Sequence, residues 1–381
     1  MKTVKDLVDA GGCSVPWLHT EISLQHNSVY PCCKYKGIVG KAEDFKTAWF
    51  SQQYQQLRKD QTDAQTHPAC SACAVSESAF SYQKFKNRAY QHLLSNTKLE
   101  PVILPQIFHF TLQNTCNLAC RMCHPISSSK LGEMSRSSKF FKEYWGDINI
   151  NNQFDISQLA GSFANLRQLT ITGGEPLIQR SCIKLIEMVK KEAVGLKRIV
   201  FSTNMTMFQQ NIIDMLDDLK IPVAFNISID GPRAIHEYIR HGCQWTDIVT
   251  NLTYLNKNYN FEFGINSTIS ALNVGYLPEL INEVDKLGKQ ADIKFTHLMA
   301  TPVLEKHLHA GSLPENIKKA YLHKLNLYTP DSPMDGVQEF INAGKELLQA
   351  SIDSALFKRY IKEFDLAANT SIDQVYPELA D

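Results

Sequence analysis

Residues 107–125 read IFHFTLQNTCNLACRMCHP. The opening IFHFTLQ (107–113) has the apolar alternation and length of a strand. Just beyond it, Cys116, Cys120 and Cys123 fall within eight residues, with three and then two residues between them. A single tight loop at one strand end can therefore wrap a metal centre. Structural zinc wants four ligands, and this loop offers three. Three thiolates can hold three corners of a four-iron cluster and leave the fourth iron open to an outside ligand. An open iron suits chemistry and is not needed for electron transfer alone.

Downstream, strand-like and helix-like segments alternate. RQLTITG (167–173), RIVFSTN (198–204), VAFNISID (223–230), FEFGINSTI (261–269) and IKFTHLM (293–299) read as five further strands. Amphipathic helices lie between them, such as CIKLIEMVKKEA, NIIDMLDDLK, TDIVTNLTYLNK and LPELINEVDKLG. This spacing predicts βαβ units and a parallel sheet, either an open barrel or a doubly wound sheet. In both, chemistry collects at the C-terminal ends of the strands. GGEP (Gly173 to Pro176) comes after the second strand, STN (Ser202 to Asn204) ends the third and SIDG (Ser228 to Gly231) ends the fourth. Glycines at 173 and 174 let backbone approach a ligand closely. Arg240, in EYIRHG, can pair bidentately with a carboxylate. Taken singly, these are an ordinary turn and a surface ion pair.

Taken in order, the motifs resemble the radical S-adenosylmethionine superfamily over roughly residues 105–300. The resemblance implies an α/β fold, a partial (β/α)6 TIM-type barrel. It implies a 4Fe-4S cluster on Cys116, Cys120 and Cys123. It also implies S-adenosyl-L-methionine bound along the strand ends: Gly173, Gly174, Glu175 and Pro176 at the methionine amino group, and Ser202, Thr203, Asn204, Ser228 and Asp230 at the ribose and methionine. Arg240 falls to the carboxylate and Met122 to the adenine. In this family the reduced cluster gives one electron to the sulfonium, and the resulting 5′-deoxyadenosyl radical takes a hydrogen from substrate. An external one-electron donor such as flavodoxin or ferredoxin is implied. No catalytic residue that quenches a substrate radical is identifiable.

Cys13, Cys32, Cys70 and Cys73 make a second four-ligand set, in CSVPWLHTEISLQHNSVYPCC and PACSAC. This text resembles the auxiliary-cluster module called twitch, the short form of the SPASM domain. That module usually follows the barrel, and here it precedes it. A glycine usually stands five residues before the second cysteine; here it is Asn27, which also tolerates a left-handed backbone. The register favours Cys32 over Cys33. A second 4Fe-4S cluster is implied, with a four-cysteine zinc site as the alternative. His19, His26 and His67 could replace one ligand but read rather as surface or capping residues, and His124 as a residue behind the cluster loop.

Three domains are expected: residues 1–98 (cysteine-rich module), 99–300 (barrel) and 301–381 (helical extension). In the first, strand-like pieces cover Trp17 to Leu24 and Ser28 to Tyr30. A helix from Asp44 to about Arg58 carries Phe45, Trp49, Tyr54 and Leu57 as a packing face, and a second runs from about Ser78 to Leu94. In the last, helices cover about 315–327 and 335–365, with a polar tail after them. Lys+Arg and Asp+Glu balance at 39 each, which counts against a nucleic-acid partner. No apolar run is long enough to span a membrane, and the N-terminus lacks a signal peptide's apolar core, so a cytoplasmic protein is expected. Ten cysteines in a reducing compartment then point to metal rather than disulfides. Cys182 and Cys243 read as small hydrophobes. An auxiliary cluster filled by four thiolates has no open iron and suits an electron relay. The expected reaction is net oxidation or bond formation on a peptide or small metabolite. Alternatives are a nucleoside- or RNA-modifying radical enzyme, or a redox-neutral radical reaction beside a structural zinc.

Overall fold

Alternation along the strands builds the sheet. In QLTIT, Leu169 and Ile171 are buried while Gln168, Thr170 and Thr172 are only partly covered. RIVFST repeats this, with Ile199, Phe201 and Thr203 buried. The buried set packs under amphipathic helices such as Arg180–Glu192, whose Leu185, Ile186 and Val189 face it. Each such side chain contributes about 1.5–3 kcal/mol by leaving water. The other set, including Thr111, Thr172, Ser202, Asn226 and Ser228, leaves a polar inner face.

The computed structural model describes residues 3–74, 82–146, 148, 154–303 and 305–379. Its strands are β1 (His19–Ser23), β2 (Ser28–Tyr30), β3 (Ile107–Thr111), β4 (Ala119–Cys120), β5 (Gln168–Thr172), β6 (Arg198–Thr203), β7 (Val223–Ser228), β8 (Arg240–His241), β9 (Glu262–Ile269) and β10 (Leu298–Pro302). Eight form one sheet in the order β10-β9-β7-β6-β5-β3-β1-β2. All its neighbours are parallel except β1 and β2. The fold is therefore α/β, with six parallel strands of the partial barrel and two more at one edge. β4 and β8 form a separate two-residue antiparallel ribbon. Among the described residues no helix is long and apolar enough to cross a membrane.

The cysteine-rich N-terminal part is not merely appended. β1 runs parallel to β3 in register from His19↔Ile107 to Ser23↔Thr111. Ile22, Leu24, Val29, Phe45, Trp49 and Tyr54 join the barrel's own apolar core. A smaller cluster around Val4, Trp17, Leu18 and Leu94 sits beside it.

Several element boundaries differ from the sequence expectation. Val15–Leu18 is a helical turn, so the first strand begins at His19. Ser51 caps a new helix, Gln52–Thr62, and splits the expected long one; Phe45, Trp49, Tyr54 and Leu57 are nonetheless all buried. Helix Tyr82–Ala89 is succeeded by Gln91–Leu94, and the expected start at Ser78 lies outside the described residues. The sixth barrel strand runs Leu298–Pro302 rather than 293–299; Ile293 and Phe295 are buried as strand residues would be, but they pack in an extended lead-in. The long C-terminal helix is two, Val337–Leu348 and Ala355–Ala368, because the chain between them turns to pair Ile352 N with Gly311 O. The tail folds back, with Tyr376 fully buried.

Candidate active site

The loop after β3 is held from several sides. Cys116 N donates to Ser129 Oγ at 3.2 Å, and Ser128 Oγ donates to Leu118 O at 2.6 Å. In the β4–β8 ribbon Cys120 pairs with Arg240, and Arg121 N donates to Ile239 O. Cys120 is buried, and Cys116 and Cys123 are partly so. Burial, and after it the neighbouring thiols, pushes the Cys116 thiol up to about 12 and that of Cys123 to about 11. At Cys120 burial again leads, giving about 12 against the lowering effect of Arg240. Without a metal these are neutral thiols, so a bound centre must displace their protons. As a donor set, three clustered thiols fit a cluster with one open iron.

The GGEP turn packs directly on this loop. Gly174 N donates to Gln113 O and Glu175 N to Thr115 O. A Cβ at Gly174 would lie 2.3 Å from Thr115 O, and Gly173 has φ 137°. The close approach that demands these glycines is thus to the protein's own cysteine loop. Pro176 begins a short 3-10 turn. Glu175 is fully buried, and its carboxylate accepts from Leu177 N (3.1 Å), Thr203 Oγ1 (2.8 Å) and Asn204 N (2.7 Å). Burial raises its pKa to about 7, against those donors. The carboxylate thus joins the GGEP turn to the end of β6. Asn204 Nδ2 reaches Asn117 Oδ1 at 3.0 Å, tying β6 to the cysteine loop. Ser202 and Ser228 are partly exposed at their strand ends. Met122 packs half-buried against the core beside Cys123.

Arg240 already has a carboxylate. Its Nε stands 2.7 Å from Asp230 Oδ2, an ion pair misaligned for a hydrogen bond. Nη1 lies 3.8 Å from Cys120 Sγ. Asp230 Oδ1 accepts from Thr268 N at 2.7 Å, so this fully buried side chain braces β7 against β9. Burial pushes the Asp230 pKa up, and Arg240 opposes it.

One anchor escaped sequence reasoning. Arg121, inside the cysteine loop, is fully buried. It donates to Tyr238 O, to Asp365 Oδ1 at 2.5 Å and to Thr370 Oγ1 at 2.6 Å. Its guanidinium lies 3.5 Å from the Tyr238 ring centroid and 4.5 Å from that of Phe364. Tyr360 Oη donates to the Arg121 carbonyl at 2.8 Å. The C-terminal helix Ala355–Ala368 therefore grips the loop from outside the barrel. No local signal marks this, because Asp365 lies 244 residues away. His124 Nδ1 accepts from Ile126 N and its ring meets Trp145 edge-on.

The second cysteine set also comes together. Cys13, Cys32, Cys70 and Cys73 line one small cavity of about 40 Å³ with Tyr35, Leu57 and Gln61 among its walls. Cys33 is exposed and outside that lining. Cys13 N donates to Gln61 Oε1 at 2.9 Å. Burial pushes the Cys13 thiol to about 12 and the Cys70 thiol to about 11, with nearby cysteines adding to both. Asn27 has φ 47° and makes the left-handed turn of the hairpin. Among the described residues no three His, Cys, Asp or Glu side chains converge on a single ion. His67 caps the turn before Cys70 through Ala69 N, and His26 is exposed, both as expected. His19 departs from expectation: it is fully buried on β1, with Nδ1 2.9 Å from Pro31 O. Cys182 and Cys243 are buried in apolar surroundings.

Residues 110–308 match the family model of the Radical SAM superfamily. An uncharacterized protein of Methanocaldococcus jannaschii is 28% identical over 220 residues, covering 56% of this chain and 69% of the relative. Native anSMEcpe with bound AdoMet superposes with a TM-score of 0.41 at 22% identity, over 58% of this chain and 59% of that one. Streptococcus suis SuiB bound to S-adenosylmethionine gives 0.37 at 13% identity, over 72% and 48%. The matched part thus spans less than two thirds of either solved chain.

Proposed function

The chain belongs to the Radical SAM superfamily, and we propose that it oxidises a peptide or small polar metabolite through two iron–sulfur centres held by its two cysteine sets. The family implies a 4Fe-4S cluster and S-adenosylmethionine, which together supply reductive cleavage to a 5′-deoxyadenosyl radical. In this reading Cys116, Cys120 and Cys123 hold the first cluster. The backbone of Gly173 to Pro176 serves the methionine amino group, since the Glu175 carboxylate is engaged within the fold. Ser202, Thr203, Asn204 and Ser228 line the ribose and methionine, and Met122 covers the adenine. Arg240 stands between Asp230 and the cysteine loop, where a ligand carboxylate would compete with Asp230 for it. Asp230 then acts by orienting Arg240.

The observation that carries the oxidative reading is the shared pocket of Cys13, Cys32, Cys70 and Cys73. Four thiolates on one cluster leave no iron for substrate, which suits a one-electron relay and a module of the twitch type. A flavodoxin- or ferredoxin-like donor would reduce the first cluster. A four-cysteine zinc site is the alternative, although the thiols as they stand do not converge on a single ion, and the test separates the two. Anaerobically reconstituted protein, reduced with dithionite, is expected to convert S-adenosylmethionine to 5′-deoxyadenosine. It is also expected to carry about eight irons and eight sulfides per chain, two clusters' worth. No 5′-deoxyadenosine overturns the radical reading. About four irons plus one zinc overturns the relay alone.

A further inference from the structure

One part of the inner barrel wall is used by neither cysteine set. Glu21 of β1 lies directly across from His109 of β3. Their side chains are 12% and 15% exposed. Thr111 Oγ1 donates to Glu21 Oε1 at 3.3 Å. His109 Nε2 lies 2.8 Å from Thr172 Oγ1, at the end of β5. The Thr172 hydroxyl has two other partners, Phe110 O at 3.3 Å and Thr111 Oγ1 at 3.4 Å. With the Thr172 proton turned to either of these, Nε2 donates to Thr172. A neutral His109 then carries its lone pair on Nδ1. That atom faces Glu21 Oε2 across 3.7 Å. Both atoms are buried, and neither has a hydrogen-bond partner among the described residues. Two acceptors facing each other repel unless a proton or a donor group sits between them.

We propose that Glu21 and His109 form an acid–base site on the inner wall that takes the proton a substrate loses as it is oxidised. This rests on the radical reading. A substrate carbon gives one hydrogen atom to the 5′-deoxyadenosyl radical, closing a C–H bond on the nucleoside. The carbon-centred radical then loses one electron to the one-electron acceptor proposed at Cys13, Cys32, Cys70 and Cys73. A proton leaves the adjoining O–H or N–H to His109 Nδ1, and a C=O or C=N bond forms. The substrate class is thus a carbon bearing a hydroxyl, amine or amide group.

The surroundings keep His109 ready to accept. Burial is the largest influence and lowers its pKa, Glu21 raises it and Lys86 lowers it. The other groups facing the pair are His19, whose ring centroid is 6.3 Å from that of His109, and Tyr90, which stacks on His19 and receives a hydrogen bond from Lys86 Nζ at 2.8 Å. On β5 the residues beside the pair, Thr170 and Thr172, are uncharged. His109 at rest is therefore neutral.

Full-length reconstituted protein carrying ¹⁵N-labelled histidine tests this by NMR, with His109→Asn identifying the resonance. The expected spectrum at neutral pH shows His109 as the Nε2–H tautomer. In Glu21→Gln its proton affinity should fall at least tenfold, one pH unit. The Nδ1–H tautomer, or an unchanged titration in Glu21→Gln, overturns the proposal and leaves the pair a packing feature. Glu21→Asp, which keeps the charge, should restore most of the affinity; a loss in Glu21→Asp as large as that in Glu21→Gln also overturns the proposal. The measurement needs no turnover, so its failure is distinct from an absence of 5′-deoxyadenosine.

Discussion

The two cysteine sets are built in opposite ways. Cys116, Cys120 and Cys123 come from one loop of eight residues. That loop is then fastened by distant parts: the β8 ribbon, the GGEP turn and Asp365 of the C-terminal helix. Cys13, Cys32, Cys70 and Cys73 come from a turn, a hairpin end and a later helical turn, and meet only as these separate N-terminal segments pack together. A local loop fixes which residues can be ligands but not how they are held. A dispersed pocket depends on tertiary structure for both.

The sharpest way to break the comparison is to remove the local set. Changing Cys116, Cys120 and Cys123 together to Ala should abolish 5′-deoxyadenosine formation, because no other cysteine lies in the strand-end loop. If the second set is independent, the variant should still bind about four irons and four sulfides, read by metal and sulfide analysis. Residual cleavage activity would sink the assignment.

The next largest effect tests how the local loop is fastened. Asp365→Ala leaves the fully buried Arg121 without its carboxylate. Removing one member of such a pair costs about 3–5 kcal/mol. Urea unfolding should show that loss, and metal analysis should show iron falling first at the barrel site. A variant as stable as the parent would mean that Tyr238 and Thr370 suffice.

Much of this contrast was legible in the chain itself. The x3, x2 cysteine spacing, GGEP, STN and SIDG fall at strand ends because strand length and βα alternation are local properties. Arg240 was legible as a cation near the site, but its carboxylate partner is Asp230 of the same fold, which becomes apparent only when β4 and β8 pair. The glycines were legible too, although what presses on Gly174 is Thr115 O.

A smaller effect concerns the carboxylate that links GGEP to β6. Burial raises Glu175 to about 7 from an ordinary 4.5. The folded protein therefore holds that proton more tightly than the unfolded chain. The associated stability is fully present below about pH 4.5 and is lost as pH rises through about 7, on the order of 1–3 kcal/mol. Comparing urea midpoints at pH 5 and 7.5, Glu175→Gln should flatten that decline relative to the parent. An equal slope in both proteins would assign the decline to other groups.

The smallest effect distinguishes neighbouring cysteines in the dispersed set. Cys33→Ala, at an exposed position outside the cavity, should leave iron content unchanged, whereas Cys32→Ala should lose the N-terminal centre. The reverse result, read from iron and sulfide content, would shift the pocket's second thiol by one residue.

The sequence by itself determined the parallel α/β architecture, the cysteine loop and the order of motifs at the strand ends. These rest on period-2 and period-3.6 patterns and on spacings within a few residues. Tertiary structure alone decided that β1 extends the barrel sheet, that Asp365 holds Arg121, that Asp230 holds Arg240 and that Glu21 faces His109. Each of those contacts joins side chains 10 to 244 residues apart. Their partners are chosen by strand order and by the cost of burying an unpaired charge, and neither leaves a local mark in the chain.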